Sequence, residues 1–139
     1  MSHDCLFCKI VKGEIPCTKV YEDTDVLAFM DISPVVKGHT LVIPRAHFNP
    51  IMDTPPEALQ KVIVIVQKIA QAQVKGLQAD GINVTQANGG VAGQVIPHIH
   101  FHVIPRFATD GFHGNWLPRK YDTPTEMQHY ADRIRHALA

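Results

Sequence analysis

Residues His98-Ile99-His100-Phe101-His102 constrain this chain more than any other stretch of its 139 residues. Three imidazoles alternate with apolar side chains, and Val103-Ile104-Pro105-Arg106 follow. Alternation with period two is the pattern of a β-strand. The spacing predicts a strand over 98–104 with all three imidazoles on one face and Ile99, Phe101 and Val103 on the other. Pro105 marks its end. A row of partly basic groups on a rigid element costs stability unless something polar meets it. Three arrangements are open: a metal site, since His-x-His is a ligand spacing; a nucleophilic histidine with two helpers; and a solvated face that carries histidine by chance. Strict alternation of three argues against the last.

Directly upstream lies Asn88-Gly89-Gly90-Val91-Ala92-Gly93-Gln94-Val95. Such a loop lets backbone N–H groups approach an anion closely, as turn nests do. It is no Walker loop, because no Gly-Lys-Ser/Thr follows. Beside three histidines it points to phosphate recognition.

Gly93-Gln94, His98, His100, His102 and Pro105-Arg106 in this spacing resemble the histidine triad (HIT) family of nucleotide hydrolases and transferases. Leu6-Phe7-Cys8-Lys9-Ile10, Phe29-Met30-Asp31-Ile32-Ser33-Pro34 and Gly38-His39-Thr40-Leu41-Val42-Ile43-Pro44-Arg45-Ala46-His47 resemble further blocks of the family, in family order. The match covers most of residues 5–107 and is nearest to the bacterial branch related to the Hint proteins. The resemblance implies an α+β, HIT-like fold: a five-stranded antiparallel sheet with a long helix and a C-terminal helix, the sheets paired in a homodimer. It also implies one domain over 1–139, with a core at 5–107 and a C-terminal extension at 108–139.

Composition agrees with one ordinary core. Apolar residues make up 45% of the chain, and 13 basic residues balance 13 acidic ones. With no basic stripe, neither a nucleic acid polymer nor an anionic membrane is an expected partner, whereas a mononucleotide needs only a few local donors. No stretch approaches the roughly 18 apolar residues of a membrane span, and no signal-length apolar run opens the chain. A soluble, cytoplasmic protein is expected. Cys5, Cys8 and Cys17 make no disulfide framework. Cys5 and Cys8 form a Cys-x-x-Cys pair with no strand before it, which suits a metal half-site needing two more ligands better than a redox motif.

Patterning predicts a helical turn near 5–11, strands near 18–22, 25–31 and 39–44, a long helix near 55–75, strands near 82–87 and 98–104, and a last helix from Thr123. Thr54, Pro55 and Glu57 read as N-cap, N1 and N3 of the long helix, and Gly76 as its close. Apolar on several faces, that helix calls for cover from the sheet and from a partner subunit. Thr123-Pro124-Thr125-Glu126 reads as a second capping box, ahead of an apolar face of Met127, Tyr130, Ala131, Ile134 and Leu138.

A neutral imidazole is a good nucleophile near neutral pH. His100 has a helper on each side and is assigned the attack on phosphorus. In the family the matching histidine carries the nucleotidyl group. His102 then meets a non-bridging phosphate oxygen, and His39 orients the triad from a neighbouring strand that also ends in Val-Ile-Pro-Arg. The resemblance assigns the ribose hydroxyls to Asp31. Phe7, Ile10, Phe29 and Ile32 would line an apolar slot for a purine, with Asn88, Gly93, Gln94 and Val95 around the phosphate. The chain departs from the family at Ala87, where an amide side chain is usual. The resemblance further implies a structural zinc (Zn) on Cys5, Cys8, His47 and His98, a closed Cys₂His₂ set. The expected function is hydrolysis of a purine nucleotide (AMP, GMP or a derivative) at its α-phosphate through a nucleotidyl-histidine, with phosphoramidates as substrates. Dinucleoside polyphosphate hydrolysis, nucleotidyl transfer, a nucleotide-binding regulatory protein and a zinc-binding structural module are the alternatives.

Overall fold

A computed structural model describes residues 5–114 and 116–138. Helix α1 (Leu6–Val11) leads into strands β1 (Lys19–Glu22), β2 (Val26–Met30) and β3 (Thr40–Pro44). Helix α2 (Pro56–Leu77), strands β4 (Gly81–Thr85) and β5 (Phe101–Arg106) and helix α3 (Pro124–Leu138) follow. The five strands form one antiparallel sheet in the order β1-β2-β3-β5-β4. The crossover through α2 sends β4 to the far edge and lets β5 insert beside β3.

The sheet is covered on both faces, and alternation decides which residues go where. Val26, Ala28 and Met30 of β2 pack with Val42 and Val103 against Val62, Ile65, Val66, Ile69 and Ala72 of α2 and Ala131 and Ile134 of α3. Leu27 and Phe29 point the other way and join Leu41 and Ile43 against Cys5, Phe7, Cys8 and Ile10. The β-branched run Val62–Val66 is helical because its spacing puts Val62, Ile65, Val66 and Ile69 on the buried face. The second cover on α2 that the sequence calls for comes from α3, while Ile63, Val64 and Val74 stay about half exposed.

Several boundaries differ from the sequence reading. Helix α2 runs Pro56–Leu77 without a capping box, because the Thr54 hydroxyl donates to the Pro50 carbonyl (2.8 Å) instead of capping the helix. Gly76 does not close it either. Gln78 takes the left-handed conformation, with φ 59°. Gly76 instead lies where α3 crosses, and a Cβ there would sit 2.5 Å from the Arg133 carbonyl oxygen. In α3 the Thr123 hydroxyl accepts from the Glu126 N–H (3.0 Å), as expected of a cap, and the anticipated apolar face joins the main core. Strand β5 begins at Phe101, not at residue 98. Gln73 of α2 reaches the sheet from behind: its Nε2 donates to the carbonyls of Gly38 (3.1 Å) and Val103 (2.9 Å), next to His39 and His102.

Gly76→Ala is expected to lower stability by about 1–2 kcal/mol, although alanine is the better helix former by about 1 kcal/mol, because the added methyl pushes α2 off α3. Urea denaturation measures it, and an unchanged or raised midpoint would contradict the close approach.

Candidate active site

Of the three imidazoles of the sequence motif, His100 and His102 lie side by side and His98 turns its Nδ1 to Cys5 and Cys8; His98 and His100 precede β5. His98 sits in a bend with its N–H on the Ile96 carbonyl (2.9 Å), and the Ile99 N–H bonds to the Phe48 carbonyl (2.8 Å), so 98–100 lies outside the ladder on β3. His100 and His102 stand 4.9 Å apart between ring centroids. Phe7 of α1 lies edge-on to His98 and His100. Immediately before β3, His39 contributes its Nε2, 2.8 Å from Nδ1 of His102.

Hydrogen bonds fix the tautomers of the neutral rings. The His100 Nδ1–H donates to the His98 carbonyl (2.7 Å), so the lone pair is on Nε2. The Val35 N–H donates to Nδ1 of His39 (3.2 Å), so His39 carries its proton on Nε2 and donates it to Nδ1 of His102. His102 is then left with its own N–H on Nε2. Burial keeps the rings neutral. Desolvation lowers His39 to about 3, assisted by His100, and lowers His102 to about 3, assisted by His39 and His100. Desolvation also lowers His100. Asp31 lies close by, with Oδ2 3.6 Å from His39 Nε2 and Oδ1 accepting the Ser33 N–H (2.8 Å).

These groups line a cavity of about 780 Å³. Phe7, Ile10, Phe29, Asp31, Ile32, Gly93, Val95, His100 and His102 are all on its wall. Asn88 and Gln94 are not. Asn88 Oδ1 accepts from the Ile51 N–H and its Nδ2 donates to Gln86 Oε1 (2.6 Å). Gln94 Oε1 accepts from the Gly89 N–H, and its Nε2 donates to Asn49 Oδ1 (2.6 Å). Both amides brace the glycine loop from within. Sequence reasoning missed the wall residues Thr85, Gln86, Leu41 and Pro118, which only strand pairing and loop packing bring here. Trp116 stands edge-on to His39 and His102; Asn115 beside it lies outside the described residues. Among the described residues neither lysine nor arginine lines the cavity. Arg45 pairs with Glu22, and Arg106 with Asp110.

On the far side of His98 is a second group. Cys5, Cys8, His47 and His98 bring their ligand atoms within 4.8 Å of one another, an arrangement able to hold a metal ion. His98 Nδ1 lies 3.4 Å from Cys5 Sγ and 3.6 Å from Cys8 Sγ, and His47 Nδ1 lies 3.3 Å from Cys8 Sγ. Zinc bonds near 2.3 Å to sulfur and near 2.0 Å to nitrogen put tetrahedral S and N atoms about 3.5 Å apart. The His98 Nε2–H donates to the Pro44 carbonyl (2.9 Å), which leaves Nδ1 as the ligand atom. The donor set fits zinc.

Residues 12–109 match the HIT domain family model. The chain is 42% identical over 140 residues to the protein hit of Bacillus subtilis (strain 168), covering 99% of this chain and 97% of that protein. To the adenosine 5′-monophosphoramidase of Schizosaccharomyces pombe it is 43% identical over 130 residues, 94% and 95% of the two chains. A Zn-bound histidine triad family protein from Mycobacterium smegmatis superposes with a TM-score of 0.89 at 38% identity, covering 99% of this chain and 95% of that one. The chain belongs to the HIT family, and its five-stranded sheet and helices are the HIT fold.

Buried neutral imidazoles make stability depend on pH. The unfolded rings take protons near pH 6.5, but folded His39 and His102 do so only near 3. Between those values the unfolded chain binds more protons, so stability is full above about 6.5 and is lost as pH falls towards 3. Denaturant midpoints between about pH 7.5 and 5.5, above most carboxylate titration, should fall with pH, and less steeply in His39→Gln. Equal slopes would refute this account.

Proposed function

We propose that this protein hydrolyses a purine nucleotide derivative at its α-phosphate through a nucleotidyl-histidine on His100, with nucleoside phosphoramidates as preferred substrates. The observation that carries the reading is the His100 Nδ1–H bond to the His98 carbonyl, which turns the lone pair of Nε2 into a large cavity beside the His102 donor. The name of the S. pombe relative, adenosine 5′-monophosphoramidase, supports it. Phe7, Ile10, Phe29 and Ile32 take the base, Asp31 the ribose hydroxyls, and the backbone of Gly93 and Val95 the phosphate side. Asn88 and Gln94 serve by holding that loop.

The phosphate anion offsets the desolvation of the His39–His102 pair, which takes up one proton with the substrate. His100 Nε2 bonds to phosphorus and the phosphorus–nitrogen bond of the substrate breaks. Its electron pair goes to the departing nitrogen, which takes the proton from His102 Nε2 and leaves as the amine. The adducted His100 is an imidazolium whose Nδ1–H stays on the His98 carbonyl. Water then attacks phosphorus, giving a proton to His102, and the pair of the P–Nε2 bond returns to His100. Substrate and water yield mononucleotide and amine. A departing polyphosphate would call for clustered cations, and no lysine or arginine among the described residues lines the cavity, so dinucleoside tetraphosphates rank lower.

Brief exposure to adenosine 5′-phosphoramidate should leave an acid-labile nucleotidyl group on His100 by mass spectrometry. His100→Ala should lose at least about a thousandfold in kcat/KM, as removal of a covalent nucleophile does. An active variant, or a faster reaction with diadenosine tetraphosphate, would overturn the assignment or the ranking.

Cys5, Cys8, His47 and His98 are proposed to hold one structural zinc, supported by the S···N spacings and by the Zn-bound relative. Bound there, the ion would neutralise the thiolates and tie α1 to the approach to β5. Elemental analysis should find about one zinc per chain, and the double variant Cys5→Ser, Cys8→Ser should lose it and melt several degrees lower. Full metal content in that variant would disprove the site. The half-exposed Ile63 and Val64 of α2 suit a second copy of this chain, and a monomeric mass by light scattering at micromolar concentration would refute the homodimer.

A further inference from the structure

Four residues form one cross-strand row on the cleft face of the sheet: Phe29 opposite Leu41, Leu41 opposite His102, and His102 opposite Thr85. All four line the cavity. Directly opposed side chains on one face have Cβ atoms about 4.5–5.5 Å apart, so the Thr85 side chain stands beside the His102 ring. Along the row the floor changes from aromatic and aliphatic to polar. Among the described residues nothing hydrogen-bonds the Thr85 side chain.

The neighbours of Thr85 on β4 narrow its role. Ala87, just past the strand and also on the cavity wall, offers only a methyl group. Gln86 is occupied: its Nε2 donates to Asn88 Oδ1 (2.9 Å) and to the Ala87 carbonyl (3.2 Å), while its Oε1 accepts from Asn88 Nδ2 (2.6 Å). Asp31, whose carboxylate lies within 4.8 Å of His39 and His102, offers a phosphate no donor and repels it. A phosphoryl group held at Nε2 of His100 therefore meets the His102 N–H and, next to it, a hydroxyl free to rotate.

We propose that Thr85 is a further catalytic residue, its hydroxyl donating to a non-bridging oxygen of the phosphoryl group and so filling from β4 the place that the methyl of Ala87 leaves without a donor. The assignment rests on the phosphate-centred reading of the cleft given above. Negative charge on those oxygens is redistributed as His100 attacks, and a donor already in position stabilises it without reorganisation.

The test uses Thr85→Val, which keeps the shape and removes the hydroxyl, and Thr85→Ser, which keeps the hydroxyl. By calorimetry Thr85→Val should bind AMP several-fold more weakly than wild type and adenosine equally well. Its kcat/KM for adenosine 5′-phosphoramidate should fall about tenfold or more, the worth of a hydrogen bond to a charged group, and Thr85→Ser should recover most of it. With the two diastereomers of the α-phosphorothioate analogue the Val penalty should shrink for one only, because sulfur accepts poorly at the oxygen Thr85 reaches. Unchanged AMP affinity in Thr85→Val, or a Ser variant as impaired as Val, overturns the proposal even if His100 is adducted normally. Conversely, AMP binding that depends on Thr85 without a His100 adduct in wild type keeps the contact and rejects the hydrolase reading. A wild type that does not bind AMP rejects both.

Discussion

An imidazole serves as a nucleophile or a directed donor only while it is neutral and while its proton is held on the right nitrogen. Both conditions come from burial. Desolvation holds His39 and His102 near 3, and in the same dry environment each ring nitrogen needs a defined partner. The Val35 N–H sets His39, His39 sets His102, and the His98 carbonyl sets His100. The tautomers thus follow from two backbone groups in separate segments, relayed to His102 through the His39 ring, so the chemistry of the cleft depends on the sheet being closed. Gln73, donating to the Gly38 and Val103 carbonyls from the opposite face, holds together the strands that carry two of these rings.

His98 joins the two clusters. Its Nδ1 faces Cys5 and Cys8, its Nε2 donates to the Pro44 carbonyl, and its own carbonyl receives His100. One residue therefore orients toward the thiols through its ring and toward the nucleophile through its backbone. Helix α1 reinforces the link, since Cys8 belongs to one cluster and Phe7 lines the other.

The histidine alternation, the Cys-x-x-Cys pair and the apolar periodicity are local patterns legible in the sequence, whereas the five-stranded sheet, the cleft residues and His47 and His98 as partners of the cysteines were legible only through the resemblance to the HIT family. What stayed hidden depends on pairing between distant segments. Strand β5 starts at Phe101 because ring and carbonyl of His98 take other partners, which alternation cannot reveal. Asn88 and Gln94 carry the right chemistry for a phosphate, but their amides are engaged in tying the glycine loop together and to Asn49 and Ile51. Thr85 comes to His102 only through the β4–β5 register. The ends of α2 were misjudged because a hydroxyl found a closer carbonyl at Thr54 and because Gly76 answers to α3 rather than to the helix end.

Ala131 and Ile134 of α3 are fully buried against α2 and the sheet, yet α3 lies beyond the family-matching span 12–109, and Cys5 and Cys8 lie before it. The span of the family model and physical self-sufficiency therefore have different limits in this chain. A version trimmed to the shared span would keep His39, His100 and His102 but open the back of the sheet to water and discard half of the thiol–imidazole cluster. Grafting this cleft onto another scaffold means carrying both flanks with it.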